Sequence, residues 1–342
     1  MANVFPTKAK ISPAFTEPDL IVTYAQSSGA FAALEKGRPR VKIGSEDMAV
    51  YINRLDLRSN YAVAQSATNL LPSAGLTVDF DQTATYLIRS RAIWDHHDMA
   101  QAANYAIGLP NAQDLAMRQG IFQGMRSGLL YGFNPAQGEG LLNTPGATAV
   151  TLPPDSYGNT TALTYDNGQM ALFWLGQLVL LKTRMYQTGG NIKNNIKVIS
   201  PQRIFETFAM QSIVQVTSYQ RPGGGTSTVA QVIQDVAQSN GDTFEWFFDD
   251  TLIGQGAGGN DAVLLTVPEI DTPTGNKPDT DIFGANMQPK MNAVNLMYTD
   301  MAAPMKIPTP TPDGAVTEIQ ELRCTSGWCV RPQGITIVSI PY

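Results

Sequence analysis

The chain has 342 residues, more than a single hydrophobic core usually spans, so we expect two core regions or one core with long extensions. Charged residues make up only 15% of it, and the net charge is −6, with 23 Lys and Arg scattered rather than gathered into a basic stripe. This charge pattern argues against direct nucleic-acid binding, and the low charge suggests that partners cover much of the surface.

The sequence gives no sign of export or membrane insertion. The first 15 residues lack the apolar run of a secretory signal, so we expect synthesis and use in the cytoplasm. The most apolar stretch, residues 170–181, is about a dozen residues long and contains Gly176 and Gln177, which makes it too short to cross a bilayer. We predict a buried helix there and no membrane partner.

The N-terminal segment predicts an extended arm. Residues 1 to about 50 combine Pro6, Pro13, Pro18 and Pro39 with short apolar runs, and such a segment buries little by itself. We therefore expect the arm to lie on another surface, which favours an assembled state.

Residues 55–93 predict a long two-stranded ribbon. Apolar and polar residues alternate over 76–81, and a second strand-like run, 86–93, follows a polar stretch. The pattern is interrupted at 69–75, which supplies turn residues. Because an isolated two-stranded ribbon is marginal in water, we expect this one to pack on a neighbour.

Two helices are predicted next, over 98–107 and from 111 to about 131. Gly108 closes the first helix, and Asn111 with Asp114 resembles a capping box that opens the second. The apolar residues expected on one face of the second helix are Leu115, Phe122, Met125 and Leu129.

The longest helix is predicted over 167–188, after a turn-rich break at 138–146 and a loop or short strand at 150–163. Asp166 is its expected N-cap and the glycine pair 189–190 its end. At 1.5 Å per residue it would span roughly 30 Å. Its apolar residues at three- to four-residue spacing are Met170, Phe173, Trp174, Leu178, Leu181 and Met185.

The remainder alternates strands and helices, so the whole pattern predicts an α+β fold. Ser200 is expected to cap, and Pro201 to begin, the helix that follows the first of these strands. The predicted elements are strand 196–200, helix 201–210, helix 229–238, paired strands 244–253 and 262–267 around a glycine loop, loop 268–292, and closing strands 319–323 and 330–338.

The only cysteines, Cys324 and Cys329, flank a turn between the two closing strands. A cross-strand disulfide is geometrically possible there, but we expect two free, packed thiols in a reducing compartment. A zinc site that joins them to His96 and His97 is disfavoured, because adjacent histidines point in different directions on a helix or a strand. We expect these histidines to be solvated or hydrogen-bonded.

Gly254, Gly256 and Gly259 spell G-x-G-x-x-G, the dinucleotide-binding fingerprint. That fingerprint opens a helix, whereas residues 260–267 predict a strand, so we interpret the glycines as a mobile hairpin tip. The glycine run 223–225 is interpreted in the same way. The sequence contains neither a Gly-x-Ser-x-Gly elbow nor a phosphate-binding loop that ends in Gly-Lys-Ser/Thr.

Acidic and aromatic side chains are expected to be structural. Three carboxylate pairs are interpreted as solvated faces rather than cation sites: Asp79 with Asp81, Asp249 with Asp250, and Asp279 with Asp281. The tryptophans expected to pack in the interior are Trp94, Trp174, Trp246 and Trp328. We therefore expect no catalytic, cofactor-binding or metal-binding residue.

The order of these elements resembles the major capsid proteins of tailed bacteriophages, which have the Hong Kong 97 phage capsid fold and are related to encapsulins. The resemblance covers nearly the whole chain and is sharpest at Gly-Leu-Leu-Asn-Thr-Pro-Gly, residues 140–146. Lys-Val-Ile-Ser-Pro at 197–201 opens the next helix as in those proteins, and residues 329–338 look like their terminal strand.

The resemblance implies a division of the chain, with flexible bases for the arm and the ribbon at Gly37, Pro39, Pro72 and Gly75. The implied parts are an N-terminal arm (1–54), an extended β-hairpin called the E-loop (55–97), a peripheral domain (98–195) with a spine helix at 167–188, an axial domain (196–318), and return strands to the peripheral domain (319–342).

The implied function is that of a structural shell protein and not an enzyme. Copies of the chain would assemble as hexamers and pentamers into an icosahedral head around double-stranded DNA, in a virion built in the host cytoplasm, with a portal and a decoration protein as further partners. Residues 1–50 lack the charged helical prodomain of some members, which implies a separate scaffolding protein. The absence of lysine between Lys42 and Lys182 puts covalent cross-linking through the E-loop in doubt. The alternatives are an encapsulin-like compartment shell and, from another class, a cytoplasmic enzyme with a glycine-rich cofactor loop.

Overall fold

The computed structural model describes residues 29–34, 42–58, 75–103, 108–187, 195–213, 227–239, 241–269, 295–301, 303–311 and 314–342. The α-helices in this part of the chain are α1 (Gly29–Ala33), α2 (His96–Ala103), α3 (Leu109–Leu130), α4 (Asn167–Gln187), α5 (Gln202–Met210) and α6 (Val229–Ser239). The strands are β1 (Ala49–Arg58), β2 (Gly75–Trp94), β3 (Thr148–Thr151), β4 (Asn195–Ser200), β5 (Ser212–Ile213), β6 (Ser227–Thr228), β7 (Thr243–Phe248), β8 (Asp261–Thr266), β9 (Leu296–Met297), β10 (Met305–Pro310), β11 (Val316–Thr325), β12 (Trp328–Cys329) and β13 (Ile335–Ile340).

A mixed five-stranded sheet has the strand order β3-β13-β8-β4-β7. Strand β13 runs parallel to β3 and antiparallel to β8, while β4 runs antiparallel to β8 and parallel to β7. The two central strands, β8 and β4, are buried along nearly their whole length, as expected for strands covered on both faces. The predicted direct pairing of 244–253 with 262–267 is wrong, because β4 lies between β7 and β8.

Helices α4, α5 and α6 cover one face of this sheet. Met170, Trp174 and Leu181 of α4 pack with Ile196 of β4 and Val263 of β8 in a single hydrophobic core. The expected boundary at 195/196 would separate α4 from the strand and helices on which it packs. The apolar face of α4 is buried in the five-stranded unit, and the division of the chain into domains stays a prediction.

The opposite face of the sheet is covered by α1 and α3. This second core contains Leu34, Ile121 and Leu129, which meet Ile199 and Leu264 of the sheet. The expectation that the arm buries little within its own subunit is therefore wrong for residues 29–34, because Ala30, Ala33 and Leu34 lie in this core.

A four-stranded antiparallel sheet, in the order β1-β2-β11-β10, carries the predicted ribbon. Strand β2 is continuous over 20 residues, without the break that the polar stretch suggested. It pairs with β1 up to Ala84 and with β11 from Thr85 onward. The ribbon therefore starts at Ala49, inside the segment assigned to the arm. Of the turn predicted at 69–75, only Gly75 belongs to the described residues, as the first residue of β2.

The helix caps differ from the predictions in two of three cases. Asp166 accepts a hydrogen bond from Gln169 N at 2.9 Å, so the predicted cap of α4 is confirmed. Pro201, rather than Ser200, stands at the N-cap of α5, and the Asp250 carboxylate accepts from Gln202 N at 2.9 Å. Because the helix begins at Gln202, one residue later than predicted, Ser200 stands one position before the N-cap.

The predicted capping box of α3 is also wrong, because this helix begins at Leu109 and Asn111 and Asp114 lie inside it. Asp114 instead binds Arg118 at 3.0 Å and contacts Lys306 and Gln320. The buried side of α3 includes Met117, Ile121 and Leu129, while Leu115 of the predicted face is exposed.

The closing strands do not form a hairpin. Strand β11 belongs to the four-stranded sheet, and β13 belongs to the five-stranded sheet. Between them β12, which contains Cys329, pairs with β9, while β5 pairs with β6 in a second two-stranded sheet.

Several predicted features lie outside the described residues: the arm before residue 29, Gly37, Pro39, Pro72, the glycine pair 189–190, the glycine run 223–225, the carboxylate pair Asp279 and Asp281, and most of loop 268–292. Among the residues that are described, no helix combines the length and apolar character needed to span a membrane.

Candidate assembly surfaces

The histidine pair lies at the start of α2, on the surface. The rings of His96 and His97 contact each other, with centroids 3.9 Å apart, so the expectation that they point in different directions is wrong. Asp95 and Asp98 cap this helix reciprocally: Asp98 N donates to Asp95 at 2.7 Å and Asp95 N to Asp98 at 3.3 Å. The bond from Asp98 N is the main reason that the pKa of Asp95 is lowered.

Backbone N–H groups of the glycine loop 254–259 donate hydrogen bonds to side chains of the protein itself. Gly254 N donates to the Asp261 carboxylate at 3.0 Å, and Ala257 N donates to Ser339 Oγ at 2.8 Å. A Cβ at Gly256 would lie 2.9 Å from the Asp261 carbonyl oxygen and from Ser339 Oγ. The strand predicted after the glycines is confirmed as β8, but the loop is a hydrogen-bonded connection and not a free hairpin tip.

The carboxylate pairs within the described residues have separate partners. Asp249 accepts from Thr251 N at 3.2 Å and from Thr251 Oγ1 at 2.6 Å, whereas Asp250 accepts from Gln202 N. On the ribbon, Asp79 accepts from Phe80 N at 2.8 Å. In the described part of the chain, no group of three or more His, Cys, Asp or Glu side chains is placed to hold a metal ion.

Both cysteines are free thiols; Cys324 is buried and Cys329 is half-buried. Burial raises the pKa of Cys324 and of Cys329 to about 12, so both remain protonated at neutral pH. Cys329 Sγ donates to Asn295 Oδ1 at 3.2 Å and to Arg331 O at 3.1 Å. A thiol in this state is a poor nucleophile and metal ligand.

Two of the four tryptophans predicted to pack in the interior, Trp94 and Trp174, are buried there, whereas Trp246 and Trp328 are half-buried. Trp174 is fully buried, with ring centroids 5.7 Å from Phe208 and 6.1 Å from Trp246. Trp246 is also 5.3 Å from Phe205, and Trp94 is buried at the end of β2. These edge-on and tilted contacts are those of an interior aromatic cluster.

One open pocket of about 460 Å³ lies beside α5 and the C-terminal residue. Its charged groups are already paired: Arg203 binds Asp261 and stacks on the Tyr342 ring at 4.3 Å, while Glu206 accepts from Gln202 Nε2 at 2.7 Å. Arg203 and Glu206 therefore bind neighbouring groups of the protein itself at this pocket.

The Gly-Leu-Leu-Asn-Thr-Pro-Gly segment forms the turn that carries the chain from α3 to β3. Gly140 has φ +90°, and a Cβ there would lie 2.3 Å from the Tyr131 carbonyl carbon, so the position requires glycine. Leu141 is fully buried in the second core, and Asn143 Nδ2 donates to Tyr131 O at 2.9 Å. The motif therefore fixes a close approach of two backbone segments.

Two apolar surfaces have no cover within the described chain. On the ribbon, Tyr51 and Phe80 form an edge-to-face pair with centroids 5.6 Å apart and are 58% and 57% exposed. On α4, the prediction of a buried helix holds for one face only, since Leu172, Val179 and Leu180 are exposed. Large apolar side chains grouped at the surface of a charge-poor protein indicate contact with partners.

Comparisons with known proteins give matches in structure alone. No protein-family profile matches the sequence, and no curated protein matches it. The structure matches the capsid of Myoviridae phage XM1 with a TM-score of 0.67 and 10% identity, over 97% of this chain and 99% of that chain.

Two other matches are of the same kind. The capsid of cyanophage P-SCSP1u has a TM-score of 0.57 and 9% identity, over 96% of this chain and 92% of that chain. The capsid of the empty GTA particle has a TM-score of 0.56 and 9% identity, over 97% and 96%.

These matches define the class of structure, which is an α+β fold shared with phage capsid proteins. Within that class the chain has the Hong Kong 97-type phage capsid fold, so the fold implied by the sequence resemblance is confirmed.

Proposed function

We propose that this chain is the major capsid protein of a tailed bacteriophage, which self-assembles into an icosahedral head around double-stranded DNA. The observation that carries the proposal is the ribbon of β1 and the first half of β2. It is a two-stranded extension with an exposed aromatic pair, and such a ribbon is marginal in water until it packs on another surface. The capsid fold supplies that surface in the form of neighbouring copies.

Assembly accounts for the composition as well as for the ribbon. Obligate interfaces bury roughly 2,000 Å² or more, and several such interfaces per subunit would cover the apolar face of α4 and the Tyr51–Phe80 pair on the ribbon. A net charge of −6 suits a container, because an inner surface that bound DNA tightly would hinder packaging and release. We therefore propose enclosure of DNA without sequence-specific binding, and no catalytic role.

The parts of the subunit receive roles within this proposal. The four-stranded sheet with α3 would form the peripheral part, with the ribbon as the E-loop. The five-stranded unit with α4, α5 and α6 would form the axial part, around which hexamers and pentamers close. A separate scaffolding protein, a portal and a decoration protein are the further partners proposed, in a virion assembled in the host cytoplasm.

Electron microscopy of the purified chain tests the proposal directly. Closed icosahedral shells are the expected result, and a monomer at all concentrations and salt conditions would overturn it. The ribbon is tested by Tyr51→Ser combined with Phe80→Ser, which should leave the subunit folded but prevent shells. The matched control is Tyr157→Ser, which removes another exposed ring, from the turn before α4.

The contents of the shells decide between the two container functions. Particles that protect double-stranded DNA from nuclease would identify a phage head, whereas particles that hold a cargo enzyme would identify an encapsulin-like compartment. The enzyme alternative has little support, because Asp261 and Ser339 already occupy the glycine loop on which it depends.

A further inference from the structure

We propose that Glu139 is the positioning residue that holds the base of the E-loop ribbon against the body of the subunit and thereby sets the direction in which the ribbon leaves. This inference rests on the proposed shell function. It concerns one half-buried carboxylate in the turn between α3 and the Gly-Leu-Leu-Asn-Thr-Pro-Gly segment, which the assembly surfaces described above do not include.

The first step is the place where the ribbon begins. Strand β2 leaves β1 as its partner after Ala84 and takes β11 as its partner from Thr85, opposite Thr325. Residues before this point lie in a two-stranded extension, and residues after it lie within the four-stranded sheet. Tyr86 is the second residue after this change of strand partner, within the four-stranded sheet. A contact to its side chain therefore acts at the base of the ribbon.

The second step is the set of groups that meet at the carboxylate. Glu139 Oε1 accepts from Tyr86 Oη at 2.6 Å, and Oε2 accepts from Ser326 Oγ at 2.7 Å and from Asn134 N at 3.0 Å. The three donors come from the ribbon base, from the turn after β11 and from the turn after α3. Charge-assisted hydrogen bonds of this kind are roughly twice as strong as neutral ones.

The third step is the rigidity of the platform that bears Glu139. Gly140 N donates to Gly327 O at 2.9 Å, and Gly327 N donates to Gly128 O at 3.0 Å. A Cβ at Gly327 would lie 2.1 Å from the Leu129 carbonyl oxygen. The backbone segments at Gly128, Gly140 and Gly327 are therefore in direct contact beside Glu139, and they have no room to shift relative to one another.

The Tyr86 ring adds a packing contact to the hydrogen bonds of Glu139. It packs on Phe133 with centroids 4.8 Å apart, and burial together with the nearby Glu139 charge raises the pKa of Tyr86 to about 12. The hydroxyl therefore stays protonated and remains a donor at neutral pH. Arg323 makes the other polar contacts at the ribbon base, to Thr85 Oγ1 at 3.1 Å and to Asp47 O at 3.3 Å, and the second of these is exposed, so that water competes with it.

Tyr86→Phe tests the inference, because it removes the bond to the ribbon and leaves the bonds of Glu139 to Asn134 and Ser326 in place. Amides of residues 85–90 should exchange with deuterium roughly five- to ten-fold faster, while those of β8 stay unchanged. Shells formed by the variant should be irregular in size or incomplete. The matched control is Tyr131→Phe, which deletes a hydroxyl bonded to Thr251 O at 2.6 Å, away from the ribbon.

Equal exchange at 85–90 and equally regular shells for Tyr86→Phe and Tyr131→Phe would overturn the positioning role. Ser326→Ala removes only the hydrogen bond from Ser326 Oγ to Glu139. If this variant disturbed shells while Tyr86→Phe did not, Glu139 would act on its own turn and not on the ribbon. If the wild-type chain formed no shells, the proposed function would be wrong, but the exchange comparison would still decide whether Glu139 holds the ribbon base.

Discussion

Arg203 on α5 clamps the buried carboxylate of Asp261 at the start of β8 through two hydrogen bonds, Nε to Oδ2 at 2.7 Å and Nη2 to Oδ1 at 2.6 Å. The same Oδ1 accepts from Gly254 N, so one ion pair fixes both a helix and the glycine loop. This fork-to-fork geometry places a carboxylate that is almost fully buried next to a partner that is partly exposed.

Arg203→Met should lower the free energy of unfolding by about 2–3 kcal/mol, because Asp261 would keep its charge in the interior without its cation. The matched control is Arg89→Met, which breaks the ion pair with Glu321 at 3.0 Å, where the arginine is largely exposed. Its expected cost is below about 1 kcal/mol. Urea unfolding of both variants measures the difference. Equal losses in the free energy of unfolding would contradict the expectation that the Arg203 ion pair stabilises the fold more than the exposed pair does.

Leu178→Asp and Val179→Asp should behave in opposite ways, although the residues are neighbours on α4. Leu178 is 5% exposed and faces the core, so a carboxylate there should block folding or cost about 4 kcal/mol or more. Val179 is 62% exposed, so the same change should alter subunit stability by less than about 0.5 kcal/mol yet disturb assembly. Thermal melting and electron microscopy separate the two effects.

Asp300 should make the subunit less stable as the pH rises. Burial raises the pKa of this carboxyl to about 6, although Lys42 acts in the opposite direction. The folded state therefore holds the proton of Asp300 more tightly than the unfolded chain does. The contribution of this group to stability is greatest below pH 4 and is lost between about pH 4 and pH 6. Asp300→Asn should match the wild type near pH 4 and exceed it by about 1–3 kcal/mol at pH 7.

Asp155 supplies the control with the opposite sign. Burial raises the pKa of this carboxyl, but hydrogen bonds from Asn159, Asp166 N and Tyr157 N outweigh that effect and lower it. Its contribution is present above the ordinary carboxyl pKa and is lost as the pH falls through the lowered value. Asp155→Asn should therefore destabilise the subunit at pH 7 and approach the wild type in acid. Urea midpoints from pH 3 to pH 8 test both slopes.

Truncation should separate assembly from folding. Removal of residues 1–45 takes Ala30, Ala33 and Leu34 out of the second core, so the subunit itself should lose stability as well as the ability to form shells. Removal of residues 1–28 leaves α1 in place and should impair shells while the melting temperature stays close to that of the full chain. Normal shells from the shorter truncation would remove the arm from the assembly mechanism.

Mature shells should be held without covalent bonds from the ribbon. No lysine lies between Lys42 and Lys182, so an isopeptide bond that begins at a ribbon lysine cannot form. Particles boiled in detergent should give one band near 36.9 kDa on a denaturing gel, with or without a reducing agent. A ladder of multimers that survives boiling and reduction would contradict this expectation.

Elements whose signals are local could be predicted from the amino-acid sequence. The apolar spacing after Asp166 predicts α4, and the carboxylate cap is present because an aspartate there can accept from the free N–H groups of the first turn. Helix α6 and the strand after the glycines were likewise predictable, since each depends on periodicity within ten or so residues. The order of these elements sufficed for the resemblance to capsid proteins.

The contacts between elements that are distant in the sequence become visible only in the folded protein. β4 lies between β7 and β8, and β11 and β13 enter different sheets, because strand partners are chosen by the burial of whole faces and not by neighbouring sequence. The same holds for Glu139, whose donors Tyr86 and Ser326 stand 53 and 187 residues away. No local pattern signals a carboxylate that joins its own turn to two distant segments, since these contacts exist only once the chain has folded around the turn that bears it.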